Sequence, residues 1–141
     1  DIKKYSPTLL FTYDDVLGGY GHPEHQLTAV AVREIFTEHQ QDSSFTAQAI
    51  FQITLPEKLE IKSLASLASY KNAVKATGGK ALPDPTIAFD ISDDWSAKKN
   101  AAMAYTSQAG TLRKFNLLPG ADTASHYTTF DREYYFEIKR K

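Results

Sequence analysis

The 141 residues predict an α/β domain with a Rossmann-like, largely parallel sheet and flanking helices, and an incomplete one. Short apolar runs rich in β-compatible residues alternate with stretches of helical periodicity, the pattern that sets helices between parallel strands. Only four such runs can be read, and the first is apolar on both faces with no neighbour ahead of it to cover it. The expectation is one domain over residues 1–141, completed by an N-terminal portion supplied from elsewhere, and the chain starts at Asp1 rather than Met.

The elements follow in order. Thr8-Leu9-Leu10-Phe11-Thr12-Tyr13, between Pro7 and Asp14-Asp15, reads as a strand buried on both faces. After Gly18-Gly19, Leu27, Val30, Ala31 and Ile35 recur at helical spacing as far as about Gln40, with Arg33, Glu34 and Glu38 opposite. From Ala47 to Leu55, Ala49, Phe51, Ile53 and Leu55 alternate with the largely polar set Gln48, Ile50, Gln52 and Thr54, which predicts a half-buried strand ended by Pro56. Ile61, Leu64, Leu67 and Ala68 predict one helix from Leu59 to Lys75, stopped by Gly78-Gly79. Thr86-Ile87-Ala88-Phe89 reads as a third strand. Ser92 is the expected cap, with Asp93 and Asp94 as first-turn charge, of a helix reaching about Gln108. Glu133 to Ile138 forms the last strand, while Trp95 and Met103 are expected in the core and Lys98-Lys99 on a solvated helix face.

Composition excludes several classes. Sixteen basic residues against seventeen acidic ones, scattered rather than clustered, leave no electrostatic footprint for nucleic acid. No apolar run approaches the ~20 residues that span a bilayer, and no signal-peptide pattern opens the chain. The expected compartment is the cytoplasm, with secretion left open because the true N-terminus is not visible. The absence of cysteine removes the disulfide-scaffold class. A chain of this length buries roughly two-thirds of its unfolded surface and needs no such staple.

Chemistry concentrates in Gly18-Gly19-Tyr20-Gly21-His22-Pro23-Glu24-His25, which holds two of the four histidines and joins a strand to a helix. Ligands of open α/β sheets bind outside the carboxyl ends of the strands, where this loop falls. Glycines allow a sharp turn and close backbone approach. Pro23 presets the first helical position, placing His22 at the cap and His25 in the first turn. Two imidazoles at this spacing can face one cavity, and Glu24 is placed to orient one of them. The pair alone is a weak sign of metal, since surface and capping histidines are common and zinc needs at least three protein ligands that this chain does not visibly supply. Gly-Gly-Tyr-Gly matches neither the dinucleotide fingerprint nor a P-loop. Asp14 and Asp15 read either as a strand-end acid/base pair or as turn formers. His39, near a helix C-terminus, suits the helix dipole, and His126 sits in a polar loop as a solvated residue.

Thr12-Tyr13-Asp14-Asp15, followed by Gly18-Gly19-Tyr20-Gly21-His22-Pro23-Glu24-His25 and an Ala/Val-rich helix, resembles the second signature block of the LmbE-like/PIG-L family of metal-dependent N-deacetylases. Asp90-Ile91-Ser92, Lys98, Ala101 and Ser107-Gln108 resemble that family's penultimate strand and following helix, and Glu133-Tyr134-Tyr135-Phe136 its closing strand. The resemblance implies a zinc-dependent hydrolysis of an N-acetyl group on an amino sugar or its conjugate, with this chain as the C-terminal half of the domain. By that resemblance His25 is a zinc ligand, His22 an acid or oxyanion stabiliser, and Tyr20 a group that turns toward the oxyanion. Glu24 stands where the family usually has Asp, and Tyr105 where a histidine commonly precedes Ser-Gln.

The family's first block, a His-Pro-Asp-Asp type motif bearing the remaining ligands and the general base, is absent from these residues. The expected partner is therefore an N-terminal fragment or companion chain that carries it, with a small acetylated amino sugar as substrate and homo-oligomer formation left open. The competing expectation is a non-catalytic carbohydrate-binding or structural α/β module that keeps the loop without the metal.

Overall fold

A computed structural model describes residues 2–108, 110 and 131–141. The polar loop around His126 lies outside these residues. The chain divides into two compact units, Asp1–Ile87 with Tyr134–Lys141, and Ala88–Glu133.

In the first unit a short helix α1 (Ile2–Tyr5) precedes strand β1 (Leu9–Tyr13). A single distorted turn α2 (Gly18–Gly21) leads into the long helix α3 (Pro23–Glu38), which starts four residues before the apolar repeat because Pro23 occupies its first turn. Strand β2 (Ala49–Thr54), helices α4 (Glu57–Leu64) and α5 (Ala68–Ala76), strand β3 (Ile87–Asp90), helix α6 (Trp95–Ala104) and strand β4 (Arg132–Lys139) follow. The described strands form one four-stranded sheet in the order β1-β2-β4-β3. The α/β architecture expected from the alternation of elements is present.

The sheet is mixed. β1 and β2 pair in parallel from Leu9↔Ala49 to Tyr13↔Ile53, and β4 runs antiparallel to β2 from Ala49↔Lys139 to Thr54↔Tyr134. Bonds from Thr86 N to Tyr135 O and from Ile91 N to Asp131 O show that β4 is antiparallel to β3 as well. Three strands thus point one way, with β4 inserted against them.

Strand order inverts two burial expectations. β1 is an edge strand, so Leu9 and Phe11 are 43% and 58% exposed instead of buried on both faces. β2 is internal, so its polar face is buried: Gln52 and Thr54 are each 1% exposed, and it is Ile53, on the apolar set, that reaches solvent at 45%. Burial of these polar groups is offset by hydrogen bonds, from Gln52 Nε2 to Asp15 Oδ1 (3.1 Å) and from Thr54 Oγ1 to the Pro83 carbonyl (2.5 Å).

α3 covers one face of the sheet, where Phe36, Phe45, Ala47 and Ile50 form a cluster with Leu10, Val32 and Ile138. The other face gathers Ala49, Phe51 and Tyr135 with Ile87. Phe11 meets the Phe51 and Tyr135 rings edge-on at 5.2 and 5.6 Å. Arg140, just after β4, donates to the carbonyls of Gln40, Asp42 and Phe45 and ties the strand end to the loop after α3.

The helix expected from Leu59 to Lys75 is broken into α4 and α5. Leu67, at the head of α5, is extended (φ −76°, ψ 128°), so the periodicity of Leu64, Leu67 and Ala68 bridges a corner rather than a continuous helix. The two helices are held together by the buried carboxylate of Glu60, which accepts from Tyr70 Oη (2.5 Å) and Leu82 N (3.0 Å). Burial, with that carboxylate beside it, pushes the Tyr70 phenol up to about 12. Leu17, Leu64 and Leu82 close the cluster beneath.

In the second unit, Ser92 is not the cap of α6. Its N–H and hydroxyl both donate to Asp90 Oδ1 in a tight turn, and Asp94 holds the cap position, so α6 starts three residues after Ser92. Trp95 and Met103, expected in the core, are 41% and 39% exposed, because α6 buries none of its residues. Lys98 pairs with Glu133 (3.1 Å) and Lys99 lies 6.0 Å from the Trp95 ring centre.

The core contact that seats α3 on the sheet is testable. Phe36→Ala, at a position 1% exposed, should cost about 3–5 kcal/mol of unfolding free energy. Its neighbour Ile35, 39% exposed, should tolerate Ala at less than about 1 kcal/mol. Urea unfolding of the two variants checks this, and equal losses would show that α3 is turned differently on the sheet.

Candidate functional site

The site is built at the carboxyl end of β1. Tyr13 is the last residue of the strand, and Asp14 behind it is fully buried. Its Oδ1 accepts from Val16 N (3.0 Å) and Leu17 N (2.6 Å), and its Oδ2 accepts from Gly19 N (2.5 Å). Three amides converging on one carboxylate fold residues 14–19 into a tight turn. Asp15 pairs with Arg33 of α3 and accepts from Gln52 of β2. Both carboxylates are thus engaged in architecture, and of the two readings of this pair the turn formers are the ones present.

The glycines let backbones touch. Gly18 and Gly21 have φ of 62° and 87°, the left-handed region that disfavours side chains. A Cβ on Gly18 would stand 2.6 Å from Gln26 N at the start of α3, and one on Gly21 would collide with the Ser69 carbonyl and stand 3.0 Å from Tyr70 N. Ser69 Oγ donates to the Tyr20 carbonyl (2.8 Å). The turn is therefore pressed between α3 and the head of α5, which is why the α4–α5 corner matters to the site.

This framework gathers four rings. His22 is the cap residue of α3, with Pro23 next and Glu24 in the first turn, as the sequence predicts. The His25 imidazole stacks on Tyr13 at 3.7 Å with 6° between planes and on His22 at 4.3 Å and 23°. Tyr20 meets His25 and His22 edge-on, at 5.4 and 6.0 Å. Three of the sequence-predicted site residues, Tyr20, His22 and His25, are brought together. Glu24 is exposed and reaches His25 only through its charge. Tyr13 was not singled out by the sequence. Its signals there are its place as the last residue of a strand leading into the loop and its place in the stretch Thr12-Tyr13-Asp14-Asp15 that carries the resemblance.

Electrostatics favour a neutral His25 ring. Burial pushes His25 below the usual histidine range, and His22 adds to this, while hydrogen bonding with the Gly18 backbone and the charge of Glu24 act the other way. Burial, then Tyr13, pushes the Tyr20 phenol above its ordinary value, so it stays protonated and able to donate. Nδ1 of His22 and of His25 is buried without a hydrogen-bond partner. Unpartnered neutral imidazole nitrogens are what a zinc ion takes as ligands. Among the described residues, however, no group of three or more His, Cys, Asp or Glu side chains could hold a metal. Elsewhere, His39 caps the end of α3, its Nδ1 3.0 Å from the Ile35 carbonyl, in the structural role expected of it. No helix among the described residues is long and apolar enough to cross a membrane.

Two curated proteins are similar to this chain. Both are named 1D-myo-inositol 2-acetamido-2-deoxy-alpha-D-glucopyranoside deacetylase. The one from Actinosynnema mirum is 31% identical over 112 residues, covering 76% of this chain and 38% of the relative. The one from Thermobifida fusca is 29% identical over 124 residues, covering 78% of this chain and 43% of the relative. The chain thus spans about two-fifths of the length of these relatives. No family model matches it. No solved structure matches it significantly.

Two outcomes follow from this geometry. Gly21→Ala and Gly78→Ala both place a side chain at positive φ, but only Gly21 has backbone in the way. Gly78→Ala should cost about 1–2 kcal/mol and Gly21→Ala clearly more in thermal unfolding; equal costs would mean that α5 does not bear on the turn. For His25, the depressed folded value means that the unfolded chain takes up the proton first, near ~6.5. Its contribution to stability is complete above that pH and is lost as pH falls through the folded value. NMR titration should find His25 protonating below an ordinary histidine, and a normal midpoint would contradict the burial argument.

Proposed function

We propose that this chain is the C-terminal part of an LmbE-like/PIG-L zinc-dependent N-deacetylase that removes the acetyl group from an N-acetylglucosaminyl-type conjugate. The observation that carries the reading is the ring cluster at the end of β1: two imidazoles with buried, unpartnered nitrogens beside a phenol kept protonated. The printed names of the two relatives, both deacetylases of an acetamido sugar linked to inositol, supply the substrate class.

In this reading His25 is a ligand to zinc. Bound zinc would polarise the acetamide carbonyl and acidify a water. His22 stands 4.3 Å from His25, close enough to serve the same reacting centre, and its role is to steady the developing negative charge and to hand a proton to the departing amine. Tyr20 donates its phenolic hydrogen toward the same oxygen. Glu24, in the first turn of α3, supplies negative charge near His25.

The remaining ligands and the general base are assigned to an N-terminal segment or companion chain with a His-Pro-Asp-Asp type loop. The open edge of β1 supports this: Leu9 and Phe11 offer apolar surface that a further strand and its covering helix would bury, beside the end of the strand where the histidines sit.

The test uses the protein in its native assembly. Denaturing mass analysis should reveal a polypeptide bearing the His-Pro-Asp-Asp loop, and metal analysis about one zinc per site. His25→Ala should remove the zinc. His22→Ala should keep it and lower kcat on an N-acetylglucosaminyl conjugate by on the order of 10²-fold or more, with Tyr20→Phe losing less. A folded, monodisperse sample with no companion, or full zinc in His25→Ala, would overturn the proposal and leave the non-catalytic module.

A further inference from the structure

We infer that Tyr13 is a positioning residue for the histidine pair: its ring, held at the end of β1 and stacked on His25, sets the direction in which His25 presents its nitrogens. The inference deepens the proposed function and rests on it for the role of His25, but the geometry behind it stands apart from any metal.

Histidines that bind a metal or carry a proton are usually oriented by a carboxylate or carbonyl on the second ring nitrogen. His25 has one such bond, with the Gly18 backbone, while Nδ1 of both His22 and His25 has no partner. Glu24, the carboxylate next in sequence, is exposed and is the smallest of the influences on His25. Apart from the Gly18 backbone, what His25 meets is rings. Tyr13 lies 3.7 Å away and nearly parallel, and His22 lies 4.3 Å away. A ring stacked this closely cannot turn about its axis without driving an edge into its neighbour, because van der Waals contact is already reached.

Tyr13 cannot yield either. It is held in register with Ile53 by the β1–β2 pairing. A Cβ on Gly19 would stand 3.4 Å from Tyr13 Cδ1, at ordinary van der Waals contact, so the turn leaves the ring about one carbon's width on that side. Gly19 is in turn fixed by its N–H bond to Asp14 Oδ2. The constraint therefore passes from the sheet through Tyr13 to His25, with packing acting beside the Gly18 hydrogen bond.

NMR of the isotope-labelled full chain, with zinc chloride as the titrant, tests this. In the wild type the His25 ring protons should be shifted upfield and show cross-relaxation with the Tyr13 ring. Tyr13→Phe keeps the stack and should preserve the shifts and the zinc affinity. Tyr13→Leu keeps apolar bulk at the strand end but should lose the upfield shift, let His25 sample more than one χ2 state, and weaken zinc binding about 10- to 100-fold. Unchanged His25 shifts and rotamer in a folded Tyr13→Leu variant would overturn the inference, as would a Tyr13→Phe variant that loses them, since the hydroxyl and not the ring would then be the holding group. If Tyr13→Leu does not fold, the Tyr13→Phe comparison and the wild-type cross-relaxation decide. A wild-type chain that takes up no zinc but shows the shifted, singly oriented His25 supports the positioning role, since the remaining ligands are assigned to the companion; failure of the metal reading is read separately, from a native assembly without zinc.

Discussion

Almost everything at the end of β1 depends on where three backbone amides of the following turn find an acceptor, and they find it in the buried carboxylate of Asp14. An isolated buried charge would be costly, but each of these bonds is charge-assisted and worth roughly 1.5–3 kcal/mol. Together they compensate the burial and fix the path of residues 14–19. The turn then has one way to reach α3. Tyr20 is delivered above the histidines, Gly19 lies beside Tyr13, and the cap residue of α3 is His22. An alanine at position 14 would leave three amides without this acceptor, the Leu17 amide in a buried position, which is why a short acidic side chain sits there.

The second constraint comes from a distance in sequence. The corner between α4 and α5 brings Ser69 and Tyr70 against Gly21, and the Ser69 hydroxyl takes the Tyr20 carbonyl. Glu60 holds that corner by bonding Tyr70 and Leu82 at once. The segment 55–85, which carries no readable chemistry, thus acts as the back wall of the ring cluster. The front is different. β1 is the edge of the sheet and its Phe11 side chain is 58% exposed, so the cluster is rigid on the side of the turn and open on the side of the edge. A proposed companion that completes the zinc shell would arrive on that side.

The electrostatic state of the cluster suits the proposed chemistry. Burial disfavours charge on His25, and a neutral imidazole is the form that binds a cation. The same burial keeps Tyr20 a donor. A ligand that must be neutral and a donor that must be protonated are both favoured by withdrawing rings from water. This economy explains how Glu24 can sit exposed without leaving the pair disordered.

The sequence by itself determined what is local. The strand at Leu9–Tyr13, the long helix beginning at Pro23, the cap position of His22 and the first-turn position of His25 all follow from the apolar spacing and from proline, which act over a few residues. The concentration of chemistry in residues 18–25 was legible for the same reason. Tertiary structure decided what depends on neighbours distant in the chain. Strand order made β1 an exposed edge and β2 an internal strand, which reversed the burial that hydropathy predicts for Phe11, Gln52 and Ile53. The choice between acid/base pair and turn formers at Asp14-Asp15 depended on amides and on Arg33 of another element. The break at Leu67 depended on what α5 had to touch, and the use of Ser92 on its neighbour Asp90 rather than on the helix it precedes. Tyr13 became part of the site only because the turn folds back far enough for His25 to lie on its ring. Periodicity reports which face of an element is apolar; which element lies against that face is set by packing the whole chain at once, and one residue's neighbours in sequence do not contain it.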